Sequence, residues 1–433
     1  MKRFYRFEFF RAFSSGFISP FITLFALALG ASNILLGYLN ASIQFSYIIM
    51  QLIISYFLLR QRKFGGGLTL FIATLSWSLM WIIIGRSSNP FELILFLSIQ
   101  AIFSAAITLS WTSMLVNTIP SYKRGRTIAE INRRSVLGSM LATMISGYFI
   151  KSYGFIQPIF LVPTIFGIFA AFQFFSLSYM KEKYLIFPKQ KFDYKYSKDF
   201  KLLIVGRALL NFAVGLAAPF LSVYVVTALK GNAVDVAIIS FMSSLTYILF
   251  YRPWGFVVDF IGRRITMLSC VLLIATIPLC YALTPSVFLL YFLVVIGSMG
   301  WAGFEIASFS YFSDFAKKSN VFQITSIYNS SIEVATILGN IVGGFLAHRF
   351  GIFKVFLLSF ILRFGCLGFF SELSEKKGST NVKINTTFQP IRYIEESATL
   401  YLILFSTFKR NIKKDFFERI ERIVNDILKL IKR

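Results

Sequence analysis

The sequence of 433 residues contains one histidine and three cysteines. A single histidine cannot build a His-based metal cluster, and His348 stands beside Arg349 without a second group of ligand-type residues nearby. The three cysteines, Cys270, Cys280 and Cys366, fall inside apolar runs, where a thiol behaves as a small apolar group. We therefore expect no metal site, no disulfide framework and no bound cofactor.

Charged side chains are also scarce, at 15% of the chain, whereas hydrophobic residues make up 56%. The mean hydropathy is +0.70. Apolar runs of about twenty residues or more follow one another from Phe9 to Phe370, and each is long enough to cross a bilayer as a helix. This composition excludes a soluble protein and predicts an all-α integral membrane protein.

The apolar runs divide into two sets of six with a polar stretch between them. We predict an N-terminal six-helix half at residues 1–180, a central linker at 181–199, a C-terminal six-helix half at 200–371 and a tail at 372–433. The twelve helices are predicted at Phe9–Leu29, Ile34–Leu59, Leu68–Ile84, Phe91–Ile119, Ile128–Ile150, Gln157–Met180, Phe200–Leu229, Val234–Val258, Ile265–Leu283, Val287–Phe315, Phe322–Ala347 and Phe353–Phe370.

The net charge of +25 comes largely from basic residues in alternate connections between the apolar runs. Such an asymmetry marks the cytoplasmic side of a membrane protein, so we expect a multi-pass protein of the cell membrane with both termini in the cytoplasm. Membrane lipid is then the expected partner of the basic side, and nucleic acid is not expected. From Asn411 onward apolar residues recur every three or four positions, which predicts an amphipathic helix that lies on the membrane or docks on cytoplasmic loops.

One local motif lies between the eighth and ninth predicted helices. Gly255 and Asp259 share a helix face, so the small residue permits a close helix neighbour beside the carboxylate. Gly262 then permits a tight turn before two arginines that can compensate the acid at a helix end. The motif residues are Gly255, Asp259, Gly262, Arg263 and Arg264.

This decapeptide closely resembles the G-x-x-x-D-x-x-G-R-R loop of the major facilitator superfamily, and the Pro120–Arg126 segment resembles a second, weaker loop of that family. The resemblance spans about Phe9 to Phe370 and implies two pseudo-symmetric six-helix bundles around a central cavity. It also implies a latch that forms when the cytoplasmic side closes. The first-half counterpart departs from the pattern, with Ser55 for glycine and Leu59 for aspartate.

Polar residues at helical spacing predict the walls of a solute cavity between the halves. The same residues could instead join helices through hydrogen bonds. The cavity candidates are Gln44, Gln100, Ser104, Arg207, Asn211 and Trp301. Glu305 and Glu333 are candidates for coupling to protons, because an ionisable group at membrane depth is costly and usually has a role.

The expected function is secondary active or facilitative transport of a small organic solute by alternating access, and the protein is expected to be a monomer. A metabolite such as a sugar, an organic acid or an amino acid is slightly favoured, and efflux of drugs or toxic compounds is the alternative within the fold. A membrane sensor or assembly factor that uses the basic tail is an alternative of another class. The sequence contains no paired carboxylates with a nucleophile and no phosphate-binding loop that would indicate an enzyme.

The motif leads to a test of the latch. Asp259→Asn keeps the size of the side chain and removes its charge, so we expect normal membrane insertion with a several-fold loss of transport. Solute uptake into vesicles is the measurement, normalised to the amount of inserted protein. Uptake at the wild-type rate would remove the latch role from Asp259.

Overall fold

A computed structural model describes residues 2–61, 67–118, 121–175, 196–315 and 321–374. These residues form twelve long helices and no β-strand, which confirms the predicted all-α class. The helices are α1 (Lys2–Ala28), α2 (Asn33–Gln61), α3 (Gly67–Ile84), α4 (Pro90–Thr118), α5 (Ser121–Tyr153), α6 (Gln157–Phe175), α7 (Lys198–Thr227), α8 (Ala233–Ile261), α9 (Arg263–Leu283), α10 (Val287–Ser313), α11 (Val321–Phe350) and α12 (Ile352–Ser371).

Within these ranges, ten helices are long and apolar enough to cross a membrane, and the other two are α2 and α5. Large apolar side chains are exposed along the outside of the bundle, for example Phe91, Phe288 and Ile361. A continuous apolar exterior of this kind is solvated by lipid tails rather than by water. The chain is therefore a multi-pass membrane protein.

The first helix of each half is interrupted at the same place. A 3₁₀ turn at Ser19–Phe21 contains Pro20 and divides α1, and a 3₁₀ turn at Ala218–Phe220 contains Pro219 and divides α7. Proline has no backbone N–H and therefore breaks the hydrogen-bond ladder of an α-helix. The sequence analysis predicted both helices as unbroken.

Other boundaries also differ from those predicted. α1 begins at Lys2 rather than Phe9, and α5 begins at Ser121, so most of the expected loop at 120–126 is helical. A single glycine in a polar segment of helix-forming residues is not enough to end a helix. Only Gly262 separates α8 from α9. The central linker and the amphipathic tail lie almost entirely outside the described residues.

The helices pack as two groups. In the first, α1 packs on α5 and α6, α3 packs on α4 and α6, and α2 packs on α4; the second has the matching contacts among α7 to α12. The groups meet where α2 packs on α11 and where α5 packs on α8. The fold is thus a pair of six-helix bundles with one interface between them.

The two halves are pressed together at one end, which we call the closed end and which carries the short connections at 29–32, 228–232 and 351. A Cβ at Gly37 of α2 would lie 2.5 Å from the Asn340 carbonyl oxygen and 2.9 Å from the Gly344 Cα of α11. A Cβ at Gly147 of α5 would lie 2.5 Å from the Ala237 Cβ of α8. Because glycine has no side chain, the backbones of the two halves can touch at these positions.

Hydrogen bonds reinforce the same end. The hydroxyl oxygens of Thr23 and Ser222, in α1 and α7, are 2.6 Å apart. The amide of Asn33 donates to the Ala347 carbonyl at 3.3 Å. The opposite end carries the connections that contain most of the basic residues, and we call it the basic end.

The glycine contacts generate a test of the closed end. Gly147→Val would place methyl groups where α8 lies, so we expect the closed end to open and a cysteine introduced as Ser222→Cys to react several-fold faster with an impermeant thiol reagent. Gly365→Val is the matched control, because a Cβ at Gly365 in α12 meets no atom within 4 Å. Equal labelling in the two variants would contradict the role of Gly147.

Candidate functional site

A cavity of about 510 Å³ lies between the halves, next to the breaks in α1 and α7. Its walls include Pro20, Ala218 and Trp301, together with hydroxyl and amide side chains from α1, α2, α7, α8 and α10. The volume falls within the range of pockets that hold small organic ligands. None of the described residues that line it is charged.

An ion pair joins α7 and α10 beside this cavity. The Nη2 atom of Arg207 donates to the Oε1 atom of Glu305 at 2.6 Å. The side chain of Arg207 is 7% exposed, whereas that of Glu305 is 38% exposed. Each charge is compensated by the other, and the carboxylate remains partly exposed.

Aromatic and polar groups surround the arginine of this pair. The guanidinium carbon of Arg207 lies 4.8 Å from the ring centre of Phe304 and 6.0 Å from that of Trp301. The amide of Asn211 donates to the Arg207 carbonyl at 2.9 Å. The aromatic rings and the neutralising carboxylate together lower the free-energy cost of burying the Arg207 guanidinium at membrane depth.

A second ion pair lies in the N-terminal half and was not predicted from the sequence. Arg11 Nε donates to Glu8 Oε2 at 3.1 Å, and Ser135 of α5 lies 3.3 Å from the same carboxylate. Glu8 stands twelve residues before Pro20, as Arg207 stands twelve residues before Pro219. The first helix was predicted to begin at Phe9, which left Glu8 outside it. The three-residue spacing of Glu8 and Arg11 is nevertheless typical of an ion pair on one helix.

Polar residues of α2 and α11 face each other along the interface. The amide of Asn340 donates to Gln44 Oε1 at 3.4 Å, next to the glycine contact. Glu333 lies two helical turns before Asn340 on the same face of α11, and Tyr47 of α2 is within electrostatic reach of its carboxylate. Within the described ranges Glu333 has no ion-pair or hydrogen-bond partner. Asn340 thus joins the two halves, and an unpaired acid lies on α11 two turns farther toward the basic end.

The remaining cavity candidates have other surroundings. The amide of Gln100 donates to the Trp77 carbonyl of α3 at 3.2 Å, so it joins two helices of the first half rather than facing the second. Ser104 is half-buried, and its carbonyl accepts from Thr108 at 3.0 Å. Helical spacing placed Gln100 on the same face as Ser104, but only the packing shows which neighbour each side chain meets.

The gating motif lies at the basic end. Gly262 has a φ of +121°, a conformation that favours glycine, and it makes the turn between α8 and α9. Arg263 forms an ion pair with Asp314 at the end of α10, and Arg264 donates to the Ser371 carbonyl. The side chain of Asp259 lies outside the described residues. A Cβ at Gly255 would meet no atom within 4 Å, so the close neighbour expected beside it is absent from the part of the fold that is described.

A family model for the Major Facilitator Superfamily matches residues 7–193 and 203–410. The chain belongs to this superfamily. An uncharacterised MFS-type transporter, MJ1560, of Methanocaldococcus jannaschii is 23% identical over 80% of this facilitator and 90% of its own length. The multidrug resistance protein MdtG of Escherichia coli is 23% identical over 79% of this chain and 86% of its own.

Solved structures show the same fold. A variant of the nucleoside transporter NupG aligns with a TM-score of 0.69 and 13% identity, covering 86% of this facilitator and 98% of that chain. A bacterial homologue of the human lysosomal transporter Spinster, in an inward-facing and occupied conformation, aligns with a TM-score of 0.61 and 14% identity over 95% and 97%. These findings confirm the predicted family and fold, and the chain is a membrane transporter.

The ion pair between α7 and α10 leads to a stability test. Arg207→Met and Glu305→Met each leave one charge uncompensated, so each is expected to cost on the order of 2 kcal/mol; a fully buried pair costs about 3–5 kcal/mol when broken. The double variant removes both charges and is expected to recover most of that loss. Thermal unfolding of the purified protein in detergent measures all three. Additive losses in the double variant would show that the two residues act independently.

Proposed function

We propose that this facilitator moves a small organic solute across the cell membrane as a secondary transporter that works by alternating access. The observation that carries the proposal is the asymmetry of the interface: the glycine contacts and hydrogen bonds described between the halves lie toward the closed end, and a cavity lies between the halves. Rocking of two rigid bundles about such an interface exposes the cavity to each side in turn.

The orientation follows from charge. Basic connections favour the cytoplasm, so the basic end and both termini are placed there and the structure corresponds to an inward-facing state. The outward-facing state would then require the glycine contacts of α2 with α11 and of α5 with α8 to separate. It would also bring the basic ends together, where the motif around Asp259 would act as the latch. A monomer contains everything that this cycle needs.

Two substrate classes compete within this function. The name of MdtG supports export of drugs, and that protein aligns with 79% of this chain. The cavity chemistry supports a polar metabolite, because hydroxyl and amide groups recur in its walls and no charged group among the described lining residues would attract a cationic drug. We favour the metabolite. The basic tail, on which a sensor function would depend, lies outside the described residues.

Coupling to protons is the second part of the proposal. Glu333 is half-buried in the middle of α11, lies within electrostatic reach of Tyr47 in the other half and has no partner of opposite charge in the described structure. A carboxylate in that position can be ionised or protonated as the opening changes its access to water. Glu305 is the next candidate, although it already forms an ion pair with Arg207.

The assignment of Glu333 is tested with Glu333→Gln, which imitates the protonated acid. We expect solute uptake into vesicles to lose its response to a pH gradient while exchange of solute at equal pH persists. Glu372→Gln is the control, because Glu372 is exposed at the end of α12 and pairs only loosely with Lys198 at 3.8 Å. An unchanged response in Glu333→Gln would move the coupling role to Glu305.

A further inference from the structure

Three serines form one wall of the central cavity. Ser240, Ser243 and Ser244 of α8 are spaced so that they share a helix face, and all three line the cavity. Their hydroxyls make no hydrogen bond within the described part of the chain. Thr246 on the same helix behaves differently, since its hydroxyl donates to the Met242 carbonyl at 2.7 Å. Back-bonding of that kind is the usual arrangement for a hydroxyl inside a helix.

A fourth hydroxyl lies on the neighbouring helix α10. Ser298 lines the same cavity and is only 4% exposed, and it has no hydrogen-bond partner among the described residues. Its oxygen is not among the fully buried polar atoms, so it faces the cavity rather than the protein interior. A molecule bound in the cavity can therefore pair with this hydroxyl.

The cavity also offers a flat apolar surface and no net charge. Trp301 follows Ser298 by three residues and therefore lies on the same side of α10, where it lines the cavity. The nearby guanidinium of Arg207 is neutralised by Glu305. Hydroxyl groups that can both donate and accept, beside an indole ring, suit a solute with its own hydroxyls and an apolar ring face.

We propose that this wall binds an uncharged solute that carries several hydroxyl groups on a ring, with the ring against Trp301 and its hydroxyls paired with Ser243 and Ser298. The inference rests on the transport function proposed above and names its substrate class. An anionic or cationic solute would lose its hydration in this cavity without gaining a counter-charge from the described wall. A site of unpaired hydroxyls discriminates strongly against a molecule that cannot satisfy them.

The first measurement is thermal stability of the full chain in detergent with four probes: glucose and uridine as uncharged hydroxylated rings, a hexose phosphate, and tetraphenylphosphonium. We expect glucose or uridine to raise the melting temperature and the two charged probes to leave it unchanged. Whichever neutral probe stabilises more shows whether the ring is a sugar alone or a sugar with a base. Greater stabilisation by a charged probe, or none by either neutral probe, would overturn the proposal.

Variants then locate the binding to this wall. Ser243→Ala and Ser298→Ala are each expected to weaken the apparent affinity for the neutral probe about tenfold. Ser331→Ala is the matched control, because the Ser331 hydroxyl already donates to the Ile327 carbonyl at 2.7 Å and should leave the affinity unchanged. Wild-type affinity in both cavity variants would also overturn the proposal.

Exchange of labelled probe in proteoliposomes separates this inference from the transport function. If the neutral probe binds and is exchanged across the membrane, both proposals are supported. If it binds through the serines without exchange, the substrate class stands and transport fails. If only the charged probe is exchanged, transport stands and the substrate class is wrong.

Discussion

The fold depends on one constraint: inside a bilayer, no water is available to hydrogen-bond the peptide groups. Each segment that crosses the lipid must therefore satisfy its own backbone, and the described residues do so almost wholly as helices. The breaks at Pro20 and Pro219 are informative exceptions. Both border the central cavity, where polar side chains can compensate an interrupted ladder. These two breaks thus lie where a solute in the cavity can reach the backbone.

The second organising feature is the contrast between the interface and the ion pairs. Glycine contacts bring the halves together at the closed end through close backbone packing, which any small displacement breaks. The ion pairs Glu8–Arg11 and Arg207–Glu305 instead lie within their own halves and so do not oppose separation of the bundles. A structure built this way holds each bundle rigid and leaves the interface between them free to change.

Much of the fold was readable from the sequence, and the reasons are physical. Apolar runs of membrane length fix the number and order of helices, which is why the architecture could be predicted. The predicted architecture and family are confirmed. The site was less readable because its contacts join distant positions. Arg207 and Glu305 were proposed separately, and only the three-dimensional structure shows that they pair. Gln100 had the right spacing, but its amide meets α3 rather than the opening.

The self-compensated pair of Arg207 and Glu305 has a consequence for membrane voltage. Those two charges cancel. If a proton binds at Glu333 together with a neutral solute, the loaded site carries no net charge, whereas the empty site carries one negative charge. Voltage would therefore act on the return of the empty protein rather than on delivery of the solute. At about 2.3 kcal/mol per charge for each 100 mV, the resting potential of a cell would be a main driving force of the cycle.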